Sequence, residues 1–311
     1  MTKKFQTILG GGGAIGTPLA KELKVYTQNI RIAGRNPKKV DPTNETFVLD
    51  LTDRARTRKA VKNSEVVYLV AGLKYTTKVW QEQWPGVFDN VLDACKAEGA
   101  KLVFFDNVYP YGRVEGPMTE ETPFNPCSKK GEIRAKLDLK LMEEYKRGNL
   151  EAVIVRGADF YGPGVNSSVF NLLVVDNLMK GKKANWMNNP KAIHTFTYTP
   201  DAAKATAIIG NTSSAFNQVW HAPADDYPIT GEEMVRIAAE ILGVEPRIQV
   251  LSDAMLWMAG LFHPTIMSLI EMTYQTKYDY IFNSDKFKNA FNFIPTTYRD
   301  GIKACIEAVR S

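Results

Sequence analysis

The sequence predicts an α/β protein, built as a doubly wound parallel sheet with a small, interleaved C-terminal lobe that holds the substrate. Apolar runs of strand length alternate with helix-period segments over the first 160 residues, which indicates βαβ units. A glycine-rich turn follows the first run, and after residue 164 the strands come singly between helices. We therefore predict a first domain at 1–165, with sheet contributions from about 190–222, and a mostly substrate-binding lobe at 166–311.

The predicted elements alternate regularly in the first domain. Strands are predicted at 5–9, 30–33, 46–49, 66–70, 102–105, 152–155, 218–221 and 247–251. Helices are predicted at 14–24, 80–98, 131–147, 168–180, 200–209 and 230–242, and a Thr230–Glu233 capping box opens the last of them. Because parallel sheets bind ligands at the carboxyl ends of their strands, we expect functional residues directly after each strand.

Composition excludes several classes of protein. With 311 residues, 44% of them hydrophobic and 23% charged, the chain is too apolar for a disordered protein. Its three cysteines form no C-x-x-C pair and its three histidines are widely scattered, so we predict neither a disulfide framework nor a metal site. The N-terminus lacks an apolar signal segment, and the uncharged stretch 254–270 is short for a bilayer span and contains a proline. We expect a cytoplasmic protein.

The glycine-rich turn after the first strand predicts dinucleotide binding. The segment contains Gly10, Gly11, Gly12, Gly13, Ala14, Ile15 and Gly16, which fits both G-x-G-x-x-G and G-x-x-G-x-x-G. Glycines permit the sharp turn into a helix and the close approach of a pyrophosphate to backbone N–H groups. The motif lies between an apolar strand and an amphipathic helix, which is the context that a Rossmann fold requires.

The end of the second strand indicates which dinucleotide is bound. No carboxylate stands there to accept a hydrogen bond from a ribose 2′-hydroxyl; instead the chain reads Arg35-Asn36, with Lys39 close by. A guanidinium can bind a 2′-phosphate, so we predict NADP, with NAD as the alternative. The alternative role for Arg35 is that of a solvated loop residue. Residues 31–62 contain nine basic and four acidic residues, an excess of five that equals the net charge of +5 of the whole chain. A positive charge concentrated in one segment favours binding of the phosphate end of the cofactor there, with no need for a nucleic-acid partner.

The ends of the third and fourth strands complete the predicted cofactor site. Asp50 can accept a hydrogen bond from the adenine amino group and Leu51 can cover the ring, although Asp50 could instead be a charge at a helix N-terminus. Small side chains in the fourth segment would let a cofactor lie over the strand tips; this segment is Val70, Ala71 and Gly72.

In this order the motifs resemble the extended short-chain dehydrogenase/reductase family, which includes the NAD-dependent sugar epimerases and dehydratases. Beyond those already named, the motifs are Tyr111-Gly112, Thr119-Glu120 with Pro123, Pro126-x-Ser128, Arg156-Gly-Ala-Asp-Phe-Tyr161-Gly162-Pro163-Gly164 and Tyr198-Thr-Pro-Asp201. The resemblance covers nearly the whole chain. It implies a Rossmann domain and a small C-terminal substrate lobe.

The chain departs from this family at the catalytic positions. The family usually has a Tyr-x-x-x-Lys pair after the Pro-x-Ser segment, and here Lys130 holds the place of the Tyr and Arg134 that of the Lys. The place of the usual Ser or Thr is taken by Asn107. The departure resembles the atypical members of the superfamily and puts standard alcohol/ketone redox chemistry in doubt.

Another acid/base group would have to replace the missing tyrosine. Burial, together with the like charges of Arg134 and an oxidised nicotinamide, would lower the pKa of Lys130 towards values useful for a general base. Tyr109 could supply a phenol, and Asn107 could donate to a substrate oxygen. In the alternative, Lys130 and Arg134 only bind the cofactor and the tyrosines only pack. Three further residues are predicted to bind substrate, with structural roles as the alternative: Tyr111, Asp159 and Tyr161.

These observations predict an NADP(H)-binding oxidoreductase or epimerase-like enzyme for a small hydroxyl or carbonyl compound, with sugar derivatives among the candidates. The alternative is a regulatory protein that senses NADP(H) without turnover. The resemblance allows a homodimer; no nucleic-acid or membrane partner is predicted. One bulky apolar set suggests core packing or a subunit interface, with an apolar substrate mouth as the alternative: Met255, Trp257, Met258, Leu261, Phe262, Met267 and Leu269.

Overall fold

The computed structural model describes residues 4–165 and 167–310. The strands in chain order are β1 (Phe5–Leu9), β2 (Ile30–Gly34), β3 (Glu45–Val48), β4 (Ser64–Leu69), β5 (Lys101–Asn107), β6 (Pro117–Met118), β7 (Ala152–Gly157), β8 (Asp159–Tyr161), β9 (Ala184–Met187), β10 (Phe196–Tyr198), β11 (Val219–His221), β12 (Ile248–Leu251) and β13 (Ile281–Phe282).

Every predicted helix is present in the structure, although its first and last residues differ from the predicted bounds. In chain order they are α1 (Gly16–Glu22), α2 (Arg54–Val61), α3 (Thr77–Glu98), α4 (Lys129–Lys146), α5 (Asp176–Met179), α6 (Thr199–Gly210), α7 (Gly231–Leu242), α8 (Asp253–Gly260), α9 (Pro264–Ile270), α10 (Tyr274–Lys277), α11 (Asp285–Phe291) and α12 (Tyr298–Arg310). The predicted helix 168–180 contains a π-helical turn, Asn171–Val175, before α5.

A seven-stranded parallel sheet in the order β11-β7-β5-β4-β1-β2-β3 confirms the predicted doubly wound fold. Its central strands are buried on both faces, as the continuous apolar sequence of β4 predicts. Helix α3 packs one apolar face onto the sheet, and its Phe88 ring lies 4.9 Å from that of Phe104 on β5. The order reverses between β1 and β4, so the carboxyl ends of these two strands mark the ligand-binding edge.

The chain divides into two compact units that alternate along the sequence. The described residues of Met1–Asn107, Glu132–Arg156 and Ala202–Ala222 form the first, which contains the sheet. Those of Val108–Gly131, Gly157–Asp201 and Pro223–Ser311 form the second. The second unit thus begins within the sequence assigned to the first predicted domain. The return of 202–222 to the first unit adds β11 at the edge of the sheet beside β7.

The second unit is built on short two-stranded parallel ladders and amphipathic helices. The ladders pair β8 with β10, β9 with β12 and β6 with β13. The buried faces of α7 and α12 close over a core that includes Trp186 and Phe196. The α7 N-terminus carries the predicted capping box: Thr230 Oγ1 accepts from the Glu233 N–H, and the Glu233 carboxylate accepts from the Thr230 N–H.

The apolar segment at α8 and α9 lies at the surface of the second unit. Core packing was the wrong interpretation for most of this set, because the side chains of Trp257, Met258, Leu261 and Phe262 are between 54% and 82% exposed. Both helices are short and are separated at His263 and Pro264, which rules this segment out as one continuous span. Among the described residues, no helix is long and apolar enough to cross a membrane.

Candidate functional site

The turn after β1 forms a cradle that only glycine fits. Gly10 has φ +103°, and a Cβ there would lie 2.5 Å from the Ala71 Cα at the end of β4. A Cβ on Gly16, the first residue of α1, would lie 2.5 Å from the Gly10 carbonyl oxygen. Backbone therefore lies against backbone where the strand order reverses. The residues present fit the pyrophosphate of a dinucleotide, which needs this close approach.

Polar groups for the adenosine end follow β2 and β3. Arg35 is exposed directly after β2. The Asp50 carboxylate accepts hydrogen bonds from the Thr52 N–H and hydroxyl, which lower the pKa of Asp50, and Arg35 lowers it further. The N-cap of α2 is Asp53, so the alternative that Asp50 serves as the helix N-terminal charge is wrong. An ionised carboxylate and an exposed guanidinium thus stand together at this edge.

Other predicted cofactor residues differ in accessibility. Asn36 is exposed, and its carbonyl oxygen is the nearest atom, at 3.7 Å, to a Cβ built on Gly12. Lys39 donates to the Pro42 carbonyl at 3.1 Å. Leu51 and Val70 are buried, whereas a Cβ on Gly72 would meet no atom within 4 Å. The space beside Gly72 is therefore open. The assignment of these residues to the cofactor stays a prediction.

Part of the basic excess in 31–62 is structural. Arg31 is only 7% exposed, and its guanidinium donates to the Glu45 carboxylate and to the Ala60 and Lys62 carbonyls. Its charge is therefore compensated inside the first unit. Arg35 remains an exposed member of that basic group and is the better candidate for an anionic ligand.

Arg134 lies in a buried charge network of the first unit. Its guanidinium is paired with Asp106 and lies 4.4 Å from the centre of the Trp84 ring. Asp106 is also 3.9 Å from Arg156, which is fully buried and donates to Asp138 at 2.6 Å. Burial raises the pKa of Asp138, and Arg156 opposes that rise. Two arginines and two aspartates thus compensate one another, a network that the sequence prediction missed.

The position of Asn107 follows from the same network. Its carbonyl oxygen accepts a hydrogen bond from the Arg156 guanidinium at 3.1 Å, which fixes the backbone at the end of β5. The role predicted for its side chain, donation to a substrate oxygen, stays a prediction.

Lys130 is completely buried in the second unit, at the start of α4. Its ammonium donates to the Glu271 carboxylate at 2.5 Å and to the Ser268 carbonyl at 2.6 Å. The other Glu271 oxygen accepts from the Lys129 backbone N–H at 2.7 Å. Burial lowers the pKa of Lys130, and Glu271 opposes that shift. The lowered pKa of Lys130 agrees in direction with the sequence prediction. The charged group beside Lys130 is a carboxylate, however, whereas the prediction placed a cation there.

The two tyrosines that follow β5 have different environments. Tyr111 is 1% exposed and packs against Phe124 with 5.9 Å between ring centres, which favours the packing alternative. Tyr109 is half-buried and close enough to Tyr274 and Tyr280 to help raise their pKa, after the larger effect of burial. A Cβ on Gly131, next to Lys130, would lie 2.6 Å from the Tyr109 carbonyl oxygen. Tyr109 and the start of α4 therefore lie together.

Asp159 and Tyr161, both on β8, also have different environments. Tyr161 is 1% exposed among aromatic rings of the core, which favours its packing alternative, and burial raises its pKa. The Asp159 side chain is 35% exposed and lies 3.0 Å from His194 Nε2. The sequence prediction considered His194 only as a metal ligand and missed this pair, because 35 residues separate its members. Among the described residues no group of His, Cys, Asp and Glu could hold a metal ion.

Comparison with known proteins gives one family and a consistent set of folds. A sequence model described as the NAD dependent epimerase/dehydratase family matches residues 7–219. The uncharacterized proteins y4nL and y4nG of Sinorhizobium fredii are 25% identical over 248 residues and 24% identical over 215 residues. These matches cover 72% and 67% of this chain, and 68% and 54% of the two relatives, so this chain spans about half the length of y4nG.

Two solved structures show the likeness of the fold. The UDP-glucose 4-epimerase of Thermus thermophilus in complex with NAD has a TM-score of 0.81 at 17% identity, with 98% of this chain and 99% of that chain covered. The dTDP-glucose 4,6-dehydratase of Bacillus anthracis in complex with NAD has a TM-score of 0.81 at 18% identity, with 99% and 97% covered. At such identities the likeness establishes the fold alone.

Proposed function

The chain belongs to the NAD dependent epimerase/dehydratase family, and on that premise we propose an NADP(H)-using oxidoreductase or epimerase-like enzyme for a small hydroxyl or carbonyl compound. Sugar derivatives are the first class to test, because one structural neighbour, MoeE5, was crystallised with UDP-glucose and NAD. The expected enzyme of the epimerase/dehydratase type is confirmed at the level of the family. The substrate and the preference for NADP are our proposal.

The observation that carries the proposal is the environment of Lys130. It is a buried lysine with a lowered pKa, at the place where the resemblance puts the catalytic tyrosine. Burial disfavours the charged form of an amine, so a buried lysine loses its proton, and can then accept one from a substrate, at a lower pH than a surface lysine does. Its bonds to Glu271 and Ser268 hold the nitrogen in one position. In this proposal the amine of Lys130 takes the role that the phenol has in the family.

The proposed chemistry uses few groups of this chain. The dinucleotide, when bound, supplies the hydride acceptor or donor. Lys130 Nζ takes the proton of the substrate hydroxyl, and the Glu271 carboxylate stabilises the ammonium that results. Tyr109, whose backbone carbonyl lies against Gly131, is the second candidate for this proton. The Gly10–Gly16 turn would hold the pyrophosphate, and Arg35 would bind the 2′-phosphate of NADP.

The first experiment measures turnover. Purified protein is mixed with NADPH and a panel of aldehydes and ketoses while absorbance of the reduced nicotinamide is followed. It is also mixed with NADP⁺ or NAD⁺ and UDP-glucose while the sugar products are separated by chromatography, because an epimerase returns the hydride to its substrate and leaves no net change in absorbance. We expect turnover that falls by about 10²–10⁴-fold in Lys130→Met, the usual range for loss of a general base. Lys129→Met is the matched control, because that exposed neighbour contacts Glu271 only through its backbone N–H. Tyr109→Phe tests the phenol as the alternative.

The pH profile separates a base from a structural lysine. If neutral Lys130 is the base, activity rises as pH increases through its pKa, with a midpoint below that of an ordinary lysine. Glu271 raises that pKa, so Glu271→Gln should move the midpoint to lower pH. Unchanged turnover in both Lys130→Met and Tyr109→Phe would refute the shuttle. Tight NADPH binding without turnover on the whole panel would favour the alternative, a protein that senses NADP(H).

A further inference from the structure

The ammonium of Lys130 is covered by helix α9. Ser268 on α9 accepts a hydrogen bond from Lys130 Nζ through its carbonyl oxygen at 2.6 Å, and Glu271, directly after α9, accepts one through its carboxylate at 2.5 Å. The other Glu271 oxygen accepts from the Lys129 backbone N–H at 2.7 Å, which fastens the end of α9 to the start of α4. The Lys130 side chain is 0% exposed, so solvent does not reach Nζ in this arrangement.

A covered amine does not by itself perform the chemistry proposed for it. A general base must come within about 2.6–3.2 Å of the hydroxyl whose proton it takes. The Ser268 carbonyl and the Glu271 carboxylate already lie at that distance from Lys130 Nζ, on the side that α9 covers. A substrate hydroxyl therefore contacts Nζ only after α9 has moved away from it.

Helix α9 is attached to the second unit through few buried side chains. None of the seven residues that the structure describes in α9 is buried, and no side chain caps its first turn. Helix α7 of the same unit, by contrast, buries six residues and begins with a capping box. Segments with few buried apolar contacts open locally at a lower free energy than core helices do. We therefore expect α9 to open more readily than α7.

Helices α8 and α9 form one hairpin with a fixed base. A Cβ on Gly260 would lie 3.0 Å from the Met267 Cα, so the backbones of the two helices lie against each other. Asp253, the first residue of α8, pairs with Lys277 at the end of α10 at 2.5 Å, which ties the beginning of the hairpin to the segment that follows it. We call residues 253–271 the α8–α9 hairpin. Its base is held, and its α9 arm covers the amine.

We propose that the α8–α9 hairpin opens and closes over Lys130 while the rest of the second unit stays folded, and that Nζ is reached only in the open form. Opening breaks the bonds from Nζ to Ser268 and Glu271 and the bond from Glu271 to the start of α4. Closure after proton transfer returns the Glu271 carboxylate to the ammonium. The proposal rests on the proposed function, in that it specifies how a substrate reaches the base of that enzyme. The opening itself requires neither substrate nor nucleotide.

The first test measures how fast the amine of Lys130 reacts. The full chain is treated with formaldehyde and a borane reductant, which methylate unprotonated amines, and each site is followed by mass spectrometry of peptide fragments. Lys129 is the internal reference, because its side chain is exposed. An open form populated at about 0.1–10% slows labelling by about 10–1,000-fold, so we expect Lys130 to react at least about tenfold more slowly than Lys129. The lowered pKa of Lys130 alone would make it the faster of the two.

Urea distinguishes local opening from unfolding of the whole chain. The labelling is repeated at urea concentrations below the unfolding transition. Local opening exposes little surface, so the rate at Lys130 should hardly change with urea. Unfolding of the whole chain exposes much more surface, and labelling by that route would rise steeply with urea.

Glu271→Gln tests the bonds that hold the hairpin closed. Replacing the carboxylate by an amide weakens its hydrogen bonds, which should raise the population of the open form about fivefold. Hydrogen exchange of the α9 backbone amides should rise by the same factor, and this readout does not depend on the protonation of Lys130. The amides of α7 are the internal reference. Glu307→Gln is the matched control, because Glu307 lies on α12 and pairs with Lys303 there. Should Glu271→Gln fail to fold, labelling of the unaltered chain still decides the question.

Three results would overturn the proposal. Equal labelling of Lys130 and Lys129 without urea would show that α9 does not cover the amine. Labelling of Lys130 only as the whole chain unfolds would show a cover that does not open. Exchange of the α9 amides as slow as that of the α7 amides, and unchanged in Glu271→Gln, would show the same. These measurements use no dinucleotide and no turnover, so they can fail while the nicotinamide assay succeeds, and the reverse.

Discussion

We expect Arg35 to make the protein bind NADPH more tightly than NADH. It is exposed directly after β2, at the position where a carboxylate would otherwise contact a ribose 2′-hydroxyl, and its charge reaches Asp50 at the end of β3. Arg35→Gln removes the charge and keeps a polar side chain of moderate length. We expect this variant to bind NADPH more weakly and to bind NADH almost unchanged.

The magnitude follows from the exposure of Arg35. Hydrogen bonds to charged groups are worth about 1.5–3 kcal/mol, and solvent and salt screening at an exposed site favour the lower end. About 1.5 kcal/mol corresponds to roughly a tenfold rise in Kd for NADPH. NADH has no 2′-phosphate, so its Kd should change by about twofold or less. Because the contact is electrostatic, the tenfold effect should shrink as salt is raised.

Nucleotide fluorescence measures both affinities without a substrate. NADPH and NADH are titrated into the unaltered chain, Arg35→Gln and the control Lys39→Gln. The Lys39 ammonium already donates to the Pro42 carbonyl, so its removal should have a smaller effect on NADPH. Two results would refute the reasoning: equal weakening of both nucleotides in Arg35→Gln, or equal affinity of the unaltered chain for NADH and NADPH.

Two further predictions concern stability and the glycine turn. Arg156→Met should lower the free energy of unfolding in urea by about 3–5 kcal/mol, because it leaves Asp138 and Asp106 buried beside one remaining guanidinium; a loss below 1 kcal/mol would contradict this. Gly16→Ala should cost about 1–3 kcal/mol and abolish nucleotide binding, since the new Cβ would lie 2.5 Å from a backbone oxygen. Gly72→Ala is the control, because its Cβ meets open space and the free energy of unfolding should hardly change. Equal losses of stability in Gly16→Ala and Gly72→Ala would exclude the steric argument.

Local signals were enough to predict most of the sheet and its helices. The strand 5–9 was predicted with the bounds of β1, and the capping box placed the start of α7. In both cases the information lies within a few neighbouring residues. The prediction was weaker at 168–180, where the π-helical turn begins at Asn171. The Asn171 amide donates to the Gly162 carbonyl at 2.8 Å, a tertiary contact that helical periodicity does not reveal.

The candidate site was predictable only where one segment carries the whole signal. The glycine turn supplies its own geometry, so its seven residues could be read directly from the sequence. Lys130 was identified by spacing, but its partner Glu271 is 141 residues away, and nothing near Lys130 indicates that a carboxylate lies there. His194 and Asp159 meet because β10 pairs with β8. Predictions of function from residue type alone therefore miss partner side chains that are distant in sequence.

Arg35 in the first unit and Lys130 in the second differ in how far their charges are compensated. In the first unit Arg35 is exposed beside the glycine turn, where an anionic pyrophosphate or phosphate would be attracted. In the second unit the charge of Lys130 is compensated by Glu271. A compensated pair can hold or transfer a proton but attracts a net charge weakly. We therefore expect the anionic groups of a dinucleotide to be attracted by Arg35 rather than by Lys130, whose charge Glu271 already compensates.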